Sequence, residues 1–373
     1  MDALILSCGT GGGHDAAGKA MQAQLQRRGH RVTMMNPYEL CSDRLAEGVN
    51  QAYIQMAKKA PKGFGAMYKA ANLYRKLPVY SPVYYVNYGM NHRMQTYLDQ
   101  NHFDIVLMPH LFPAEILTNL RRHGGQVPKT MFIATDYTCI PFTEETECDA
   151  YVIPAADLTE EFKSRGIPEE KLYPLGIPVH PEFETSIRRD DAMRQLGLDQ
   201  SKRYILVSGG SMGAGHMEKT LKTMLSYTNS NPKLGLIVIC GNNEDLYQRL
   251  MNRYYGKMKI VGHTEQMALY LKASVLYVTK AGGLSSTEAA VMGVPILHVS
   301  PIPGCETCNT TYFEERGMSL SVVKPRLKEI KQALHHLRSK EVRSAMAANQ
   351  RSCIPSGASG RIADLAEQLA ASI

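Results

Sequence analysis

The stretch RYILVSGGSMGAGH, at residues 203–216, decides the fold class. Its apolar run ends in a glycine-rich loop, and a helical pattern follows that loop. The chain begins in the same way, with DALILSCGTGGGH at residues 2–14 and a helical pattern that continues through Arg28. A strand that leads through such a loop into a helix is typical of parallel sheets covered by helices on both faces. The sequence therefore predicts two sheets of this kind.

Further short apolar runs alternate with helical patterns at the spacing of βαβ units. They are RVTMMN, DIVLMPH (104–110), KTMFIAT (129–135), AYVIP (150–154), LGLIVICG, KMKIVGH, SVLYVT and VPILHV. Prolines at positions 174, 178 and 181 disfavour regular structure between the two halves. We predict an α/β protein of two Rossmann-like, doubly wound domains facing a central cleft. The domains span 1–180 and 201–373 with a linker at 181–200, and the sequence does not place the last helix, from about 360 to 371.

Composition restricts the class of protein. The 373 residues are 44% hydrophobic and 21% charged, an ordinary globular mixture that argues against disorder and disulfide-stapled scaffolds. Eight scattered cysteines fit reduced thiols. The first residues lack a signal-peptide pattern, and no window approaches 18 consecutive apolar residues. We therefore expect a cytoplasmic location.

The net charge of +7 is concentrated in one segment. Residues 48–98 contain no Asp or Glu and are rich in tyrosine, and the segment carries Lys58, Lys59, Lys62, Lys69, Arg75, Lys76 and Arg93. Such a surface fits anionic lipid or nucleic acid, whereas a solvated face with its tyrosines in the core is the structural alternative. Phe64, Met67, Tyr68, Ala71 and Tyr74 follow helical spacing, which fits core packing and membrane contact equally well.

The two glycine-rich loops are candidate anion sites, because free amides at a helix start attract phosphate. The first loop, Gly9–His14, does not match G-x-G-x-x-G, and neither loop ends in G-K-[ST], so dinucleotide and Walker A sites are disfavoured. The second loop, Ser208–Gly213, is the better diphosphate cradle because Ser208 and Ser211 add hydroxyl donors. His14 lies where a neutral imidazole can take a proton from a hydroxyl acceptor.

A third group of polar residues follows the strand SVLYVT. The run TKAGGLSSTEAA at 279–290 places glycines and serines at a helix start and Glu288 within that helix, where its carboxylate can accept from both hydroxyls of a ribose. Cys305 and Cys308 form a lone C-x-x-C without a second pair at zinc-site spacing. We therefore expect no metal.

These motifs, in this order, resemble the GT-B glycosyltransferases, and among them the monogalactosyl- and glucosyl-diacylglycerol synthase family. The resemblance covers nearly the whole chain. It rests on Gly11-Gly12-Gly13-His14, Thr135-Asp136, Gly176-Ile177-Pro178-Val179, Ser208-Gly209-Gly210, Val261-Gly262, Thr279-Lys280-Ala281-Gly282-Gly283, Ile302-Pro303-Gly304, Glu306 and Asn309.

The resemblance implies a role for each of these positions. Glu288 would hold the ribose, the backbone after Val261-Gly262 would contact the uracil, and Glu306 with Asn309 would bind the sugar hydroxyls. The other implied donor contacts are Ser208, Gly209, Gly210, Ser211, Gly262, His263, Lys280, Gly282, Gly283, Ser285 and Ser286, although a structural salt bridge is an alternative role for Lys280. His14 and Asp136 would serve catalysis, and Gly11, Gly12 and Gly13 the acceptor loop. The implied membrane contacts are Lys58, Lys59, Lys62, Phe64, Tyr68, Lys69, Arg75 and Lys76.

We therefore expect an inverting transfer of glucose or galactose from a UDP-sugar to diacylglycerol or its monoglycosyl product. UDP-sugar would be a co-substrate, with no cofactor or metal and no nucleic acid partner. The protein would bind the anionic inner face of the cell membrane peripherally. The alternatives are a lipid-linked peptidoglycan N-acetylglucosaminyltransferase, a UDP-sugar 2-epimerase and a non-catalytic nucleotide- or lipid-sensing relative.

Overall fold

The computed structural model describes residues 1–9, 12–42, 44, 48, 61–75, 77, 79–210, 217–324 and 326–372. The chain divides into two compact units. The first contains Met1–Pro181, Pro303–Cys305 and Gly357–Ile373, and the second contains Glu182–Ile302 and Glu306–Ser356. The predicted linker at 181–200 thus belongs almost entirely to the second unit, where its helix Arg189–Gln195 lies.

The first unit is built on a parallel sheet of six strands in the order β2-β1-β3-β4-β5-β6. The strands are β1 (Asp2–Leu6), β2 (Arg31–Met35), β3 (Ile105–Met108), β4 (Lys129–Ile133), β5 (Ala150–Val152) and β6 (Leu172–Tyr173). The helices are Gly13–Arg27, Pro61–Tyr74, Pro82–Tyr88, Asn91–Gln100, Leu111–Arg122, Thr159–Ser164 and Ala358–Ala371. Every residue of β3 is buried, as expected for a strand covered by helices on both faces.

The C-terminal helix Ala358–Ala371, which the sequence did not place, packs in the first unit. Ile362, Ala363 and Ala366 are fully buried among the strand residues of the first sheet. Their helical spacing forms one apolar face, which explains why the helix packs against a sheet. At its outer edge Arg28 binds Asp364 at 2.7 Å and donates to the Gly360 carbonyl at 2.9 Å.

The second unit has a parallel sheet in the order β12-β11-β10-β7-β8-β9. The strands are β7 (Arg203–Ser208), β8 (Leu234–Ile239), β9 (Lys259–Val261), β10 (Ser274–Thr279), β11 (Ile296–Val299) and β12 (Leu320–Val322). The helices are Arg189–Gln195, Met217–Asn229, Glu244–Tyr254, Met267–Ala273, Gly283–Val291, Cys305–Glu315, Leu327–His336 and Lys340–Cys353. This order is the doubly wound Rossmann order, so the predicted fold class is confirmed.

The strand orders identify where each unit binds ligands. Doubly wound sheets bind them outside the carboxyl ends of the strands, at the point where the strand order reverses. That point lies between β1 and β3 in the first unit and between β7 and β10 in the second. The first pair leads into the Gly12–His14 and Pro109–His110 segments, and the second into the loops after Ser208 and Thr279.

Candidate active site

His14 is held at the switch point of the first unit by the chain that follows β3. Gly12 precedes the helix Gly13–Arg27 with φ +81°, a left-handed conformation that glycine adopts without strain. The His14 Nδ1 lies 2.7 Å from the Pro109 carbonyl oxygen and 3.0 Å from the Thr135 hydroxyl. Two loops that follow neighbouring strands of the sheet therefore fix the imidazole ring.

These contacts define the protonation of the neutral ring. A carbonyl oxygen can only accept a hydrogen bond, so we infer that Nδ1 carries the proton and donates it to Pro109. The lone pair of a neutral imidazole then resides on Nε2. His14 thus has the tautomer that a general base needs, with the base nitrogen opposite its anchored side.

A second histidine, which the sequence did not single out, packs against His14. The rings of His110 and His14 are 4.5 Å apart and edge to face. The His110 Nδ1 accepts from the Phe112 amide at 3.1 Å, at the start of helix Leu111–Arg122. Burial, and secondarily the neighbouring His14, lower the pKa of His110 well below its usual range. Its position before a helical pattern is the only sequence signal that could have found it.

Asp136 shares a small cavity with His14. The cavity has a volume of about 10 Å³, and its other lining residues include Thr138, Ile140 and Thr143. Asp136 follows β4 and is partly exposed. The structure thus brings together His14 and Asp136, both predicted as catalytic. Of the predicted acceptor loop, Gly12 and Gly13 lie beside His14, whereas Gly11 lies outside the described residues.

In the second unit, the loop predicted to bind the diphosphate begins directly at the end of β7. Gly210 has φ +71°, and its amide donates to the Ser208 hydroxyl at 3.2 Å. A Cβ at Gly210 would lie 3.2 Å from the Lys280 Cε, so the close approach of the two loops depends on glycine. Ser208 is the last residue of β7 and Gly209 follows it, whereas Ser211 falls outside the described residues.

Lys280 and Glu306, both assigned to the donor, bind each other. The Lys280 Nζ donates to Glu306 Oε1 at 2.8 Å, and the Ile302 amide donates to Oε2 at 2.8 Å. Both side chains are largely buried, with 12% and 9% of their surfaces exposed. Lys280 therefore makes the salt bridge that the sequence analysis named as its alternative role.

Two predicted donor contacts turn into the core instead. Ser286 is fully buried and its hydroxyl is hydrogen-bonded to His298 Nε2 at 2.9 Å, rather than facing a diphosphate. Asn309 is also fully buried, and its amide donates to the Ala281 carbonyl at 3.0 Å rather than facing a sugar. Burial lowers the pKa of His298 to about 3, so its ring is neutral. These side chains hold the segment after β10 from its buried side.

The start of helix Gly283–Val291 remains available to an anion. Its N-cap is Gly282, which has no side chain, so the first amides of the helix are not capped from that position. Ser285 is partly exposed and donates to the Gly282 carbonyl at 3.2 Å. This geometry suits a phosphate group, because helix N-termini present amides and a positive dipole end.

Glu288 follows one turn later on the same helix and is partly exposed. Burial and, secondarily, the nearby Glu182 carboxylate raise the pKa of Glu288 to about 8. A largely protonated carboxyl can both donate and accept at a ribose. Gly262 and His263, both predicted donor contacts, follow the edge strand β9 at the same end of the sheet, and His263 is exposed.

The predicted membrane residues divide into three groups. Lys58, Lys59 and Lys76 lie outside the described residues, as do the side chains of Lys62 and Phe64. Lys69 is exposed, and Tyr68 is half-buried with its ring about 3.2 Å from where a Cβ at Gly304 would lie. Arg75 is not available to lipid as predicted, because its side chain is only 5% exposed and pairs with Glu144.

Large apolar side chains are nevertheless exposed beside these basic residues. They are Met67, Leu73, Leu77, Val79, Tyr80, Tyr85, Val86 and Tyr88, and we call this set the apolar surface. In the described part of the chain no helix is long and apolar enough to cross a bilayer. Within the same residues, no three His, Cys, Asp or Glu side chains cluster as metal ligands would.

Comparisons with family models match both units. Residues 14–179 match the model of monogalactosyldiacylglycerol (MGDG) synthase, and residues 204–369 match the glycosyltransferase family 28 C-terminal domain.

Two curated relatives are processive diacylglycerol beta-glucosyltransferases. The Staphylococcus saprophyticus protein is 31% identical over 69% of this chain, and the alignment spans 64% of that protein's length. The Bacillus subtilis protein is 26% identical, with 86% of this chain and 82% of that protein covered.

Solved structures share the fold at low identity. MurG of Acinetobacter baumannii is 16% identical with a TM-score of 0.62, covering 98% of this chain and 99% of that one. The UDP-GlcNAc 2-epimerase of Neisseria meningitidis, solved with UDP-GlcNAc, is 12% identical with a TM-score of 0.62, covering 99% and 100%. The chain has two doubly wound units, matches to two family models and relatives that are named as diacylglycerol glucosyltransferases. It therefore belongs to the monogalactosyldiacylglycerol synthase and processive diacylglycerol glucosyltransferase family of GT-B glycosyltransferases.

Proposed function

We propose that the chain transfers glucose or galactose from a UDP-sugar to diacylglycerol or to a monoglycosyl-diacylglycerol, with inversion at the anomeric carbon. The observation that carries this proposal is the anchored His14 ring, whose Nδ1 donates to Pro109 and leaves Nε2 as the base. The two relatives, both named as diacylglycerol glucosyltransferases, support the choice of acceptor.

The chemical step follows from this tautomer. Nε2 of His14 accepts the proton of the acceptor hydroxyl while that oxygen forms a bond to the anomeric carbon. The bond from the anomeric carbon to the UDP oxygen breaks, and UDP leaves with the electron pair. Thr135 and Pro109 keep the ring in place as it becomes positively charged.

The second unit would hold the donor. The uncapped start of helix Gly283–Val291 would supply amides to the diphosphate beside the loop after Ser208, and Glu288 would bind the ribose hydroxyls. Because main-chain amides are fixed before the reaction, they stabilise the charge that develops on the leaving group. We propose that neither a metal nor another cofactor takes part, since the amides carry that charge.

We also propose that the protein binds the anionic inner surface of the membrane through the apolar surface. Lys69 is exposed on helix Pro61–Tyr74, which also carries Met67 and Leu73 of that surface. The segment 48–98 contains seven basic and no acidic residues, and one of the seven, Arg75, is paired with Glu144. Basic side chains next to exposed apolar ones are complementary to anionic headgroups above acyl chains.

Flotation with anionic and neutral liposomes tests the membrane proposal. Val86→Asp introduces a charge at a side chain that is 72% exposed on the apolar surface, and we expect it to reduce flotation. Val323→Asp is the matched control, since Val323 is 62% exposed in the second unit. Equal flotation of Val86→Asp and wild type would contradict the proposal that the apolar surface binds the membrane.

Product analysis tests the reaction. The purified chain is incubated separately with UDP-glucose, UDP-galactose and UDP-N-acetylglucosamine in the presence of diacylglycerol vesicles, and lipids and nucleotides are analysed by mass spectrometry and chromatography. We expect a hexosyl-diacylglycerol and free UDP with one of the two hexose donors. An epimerised UDP-sugar without a glycolipid, or no turnover, would contradict the proposal.

A further inference from the structure

The one-turn helix Thr143–Glu145 connects the His14 cavity with the helices of the apolar surface. Thr143 lines that cavity, and its hydroxyl donates to the Ile140 carbonyl at 2.9 Å. The next two residues, Glu144 and Glu145, are acidic, and their side chains contact other parts of the first unit. Each of them holds one of the two helices that carry residues of the apolar surface.

Glu144 holds the end of helix Pro61–Tyr74. The Arg75 Nε donates to Glu144 Oε1 at 2.6 Å, and the Arg75 Nη2 donates to Oε2. The pair is bidentate and nearly buried, with 5% of the Arg75 side chain exposed. Breaking a buried pair leaves an uncompensated charge, so Glu144 and Arg75 must move together.

Glu145 holds the start of helix Pro82–Tyr88. The Ser81 amide donates to Glu145 Oε1 at 2.8 Å, and the Ser81 hydroxyl accepts from the Tyr84 amide at 3.1 Å as the N-cap. Ser81 is fully buried, so this anchor is shielded from water. The helix that carries Tyr85 and Val86 is thus tied to the same turn.

Phe142, directly before the turn, adds a third connection. Its φ of +74° is unusual for a bulky residue, and such strained conformations persist only where the surrounding structure imposes them. Its ring packs edge to face on Tyr74, with centroids 6.2 Å apart. The end of helix Pro61–Tyr74 therefore contacts the cavity loop through both an ion pair and a ring pair.

We propose that the Thr143–Glu145 turn couples the insertion of the apolar surface into a bilayer to the conformation of the loop that lines the His14 cavity. Arg75, Phe142 and Glu144 are the positioning residues of this coupling. This inference rests on the proposed function. Because the two helices and the loop share one set of buried contacts, fixing the helices favours one loop arrangement over others. Transfer is then faster to an acceptor in a bilayer than to a soluble one at equal occupancy.

The test compares two acceptors, long-chain diacylglycerol in vesicles and water-soluble dihexanoylglycerol. For Glu144→Gln and Arg75→Gln we expect kcat on vesicles to fall by between about 5-fold and about 150-fold, the range of ordinary coupling between sites. The kcat on the soluble acceptor, the KM for the UDP-hexose and liposome flotation should stay near wild type. The double variant Arg75→Glu/Glu144→Arg should restore part of the vesicle rate.

A second variant guards against loss of folding. Phe142→Asn keeps a residue that tolerates positive φ and removes the ring that packs on Tyr74, so it should fold and show the same selective loss. A matched control, Arg249→Gln, breaks the exposed pair with Glu218 in the second unit and should change neither rate.

Equal loss on both acceptors, or no loss on vesicles, in Phe142→Asn and the ion-pair variants would overturn the inference while leaving the proposed function intact. Absence of transfer by the wild-type chain to either acceptor would instead refute the proposed function, and this inference with it.

Discussion

Replacement of His14 by Asn separates the base from its anchor. The Asn amide can still donate to the Pro109 carbonyl, as Nδ1 does at 2.7 Å in the structure, but it has no group at the position of Nε2. The variant therefore keeps a hydrogen bond to Pro109 but loses the group that accepts the proton. We expect a folded enzyme with a greatly reduced chemical step.

The size of the effect follows from the role of Nε2. Positioned general bases contribute about 10²–10⁴ in rate. At about 1.36 kcal/mol for each factor of ten, this loss corresponds to about 2.7–5.4 kcal/mol in the activation free energy. UDP binding should not change, because the residues assigned to the diphosphate belong to the second unit.

The assay measures UDP release with saturating UDP-hexose and diacylglycerol vesicles, together with calorimetric titration of UDP. Thr135→Val is the matched control, because it removes the hydroxyl 3.0 Å from Nδ1 and leaves the Pro109 bond and Nε2 in place. One neutral hydrogen bond contributes about 0.5–1.5 kcal/mol, so kcat should fall by no more than about 10-fold. A kcat of His14→Asn within about threefold of wild type, at normal UDP affinity, would refute the assignment of the base.

Three further predictions concern the second unit. The pKa of Glu288 rises to about 8 on folding, so the free energy of unfolding should fall as pH rises from about 4.5 to 8. In denaturant titrations at several pH values, Glu288→Gln should reduce this dependence on pH. An unchanged dependence would contradict the statement that burial raises the pKa of Glu288. The pKa of the buried His298 falls to about 3, so protonation favours the unfolded chain below about pH 6.5. Between pH 7 and pH 5, the free energy of unfolding should therefore decrease less in His298→Gln than in wild type. Gly210→Ala must place a Cβ 3.2 Å from Lys280 at a φ of +71°, and calorimetry should show weaker UDP binding with the fold retained, whereas unaltered affinity would remove this loop from the donor site.

The fold was predictable because long apolar strands and glycine-rich loops recur at βαβ spacing. The strand β12 was missed because Ser321 interrupts its apolar pattern between Leu320 and Val322, and β6 was missed because it lies beside Pro174. The apolar face of helix Ala358–Ala371 indicates that the helix packs but not against which sheet. Only the folded chain shows that it returns to the first unit.

The sequence predicted which residues of the candidate site lie close together better than it predicted where their side chains point. His14 and Asp136 meet at one cavity because the carboxyl ends of parallel strands share one edge of the sheet. Ser286 and Asn309 lie on the segments that the motifs indicated, but residue type does not determine the side-chain direction, and both turn inward. Arg75 belongs to a basic segment, yet its partner Glu144 is far away in the sequence.

Calorimetric titration of the purified wild-type chain with UDP, UDP-glucose and UDP-galactose measures whether the loops after β7 and β10 bind a uridine diphosphate. We expect saturable binding of UDP at one site per chain, and weaker binding in Glu288→Gln. No measurable heat with UDP or either UDP-hexose, from protein shown to be folded, would contradict it.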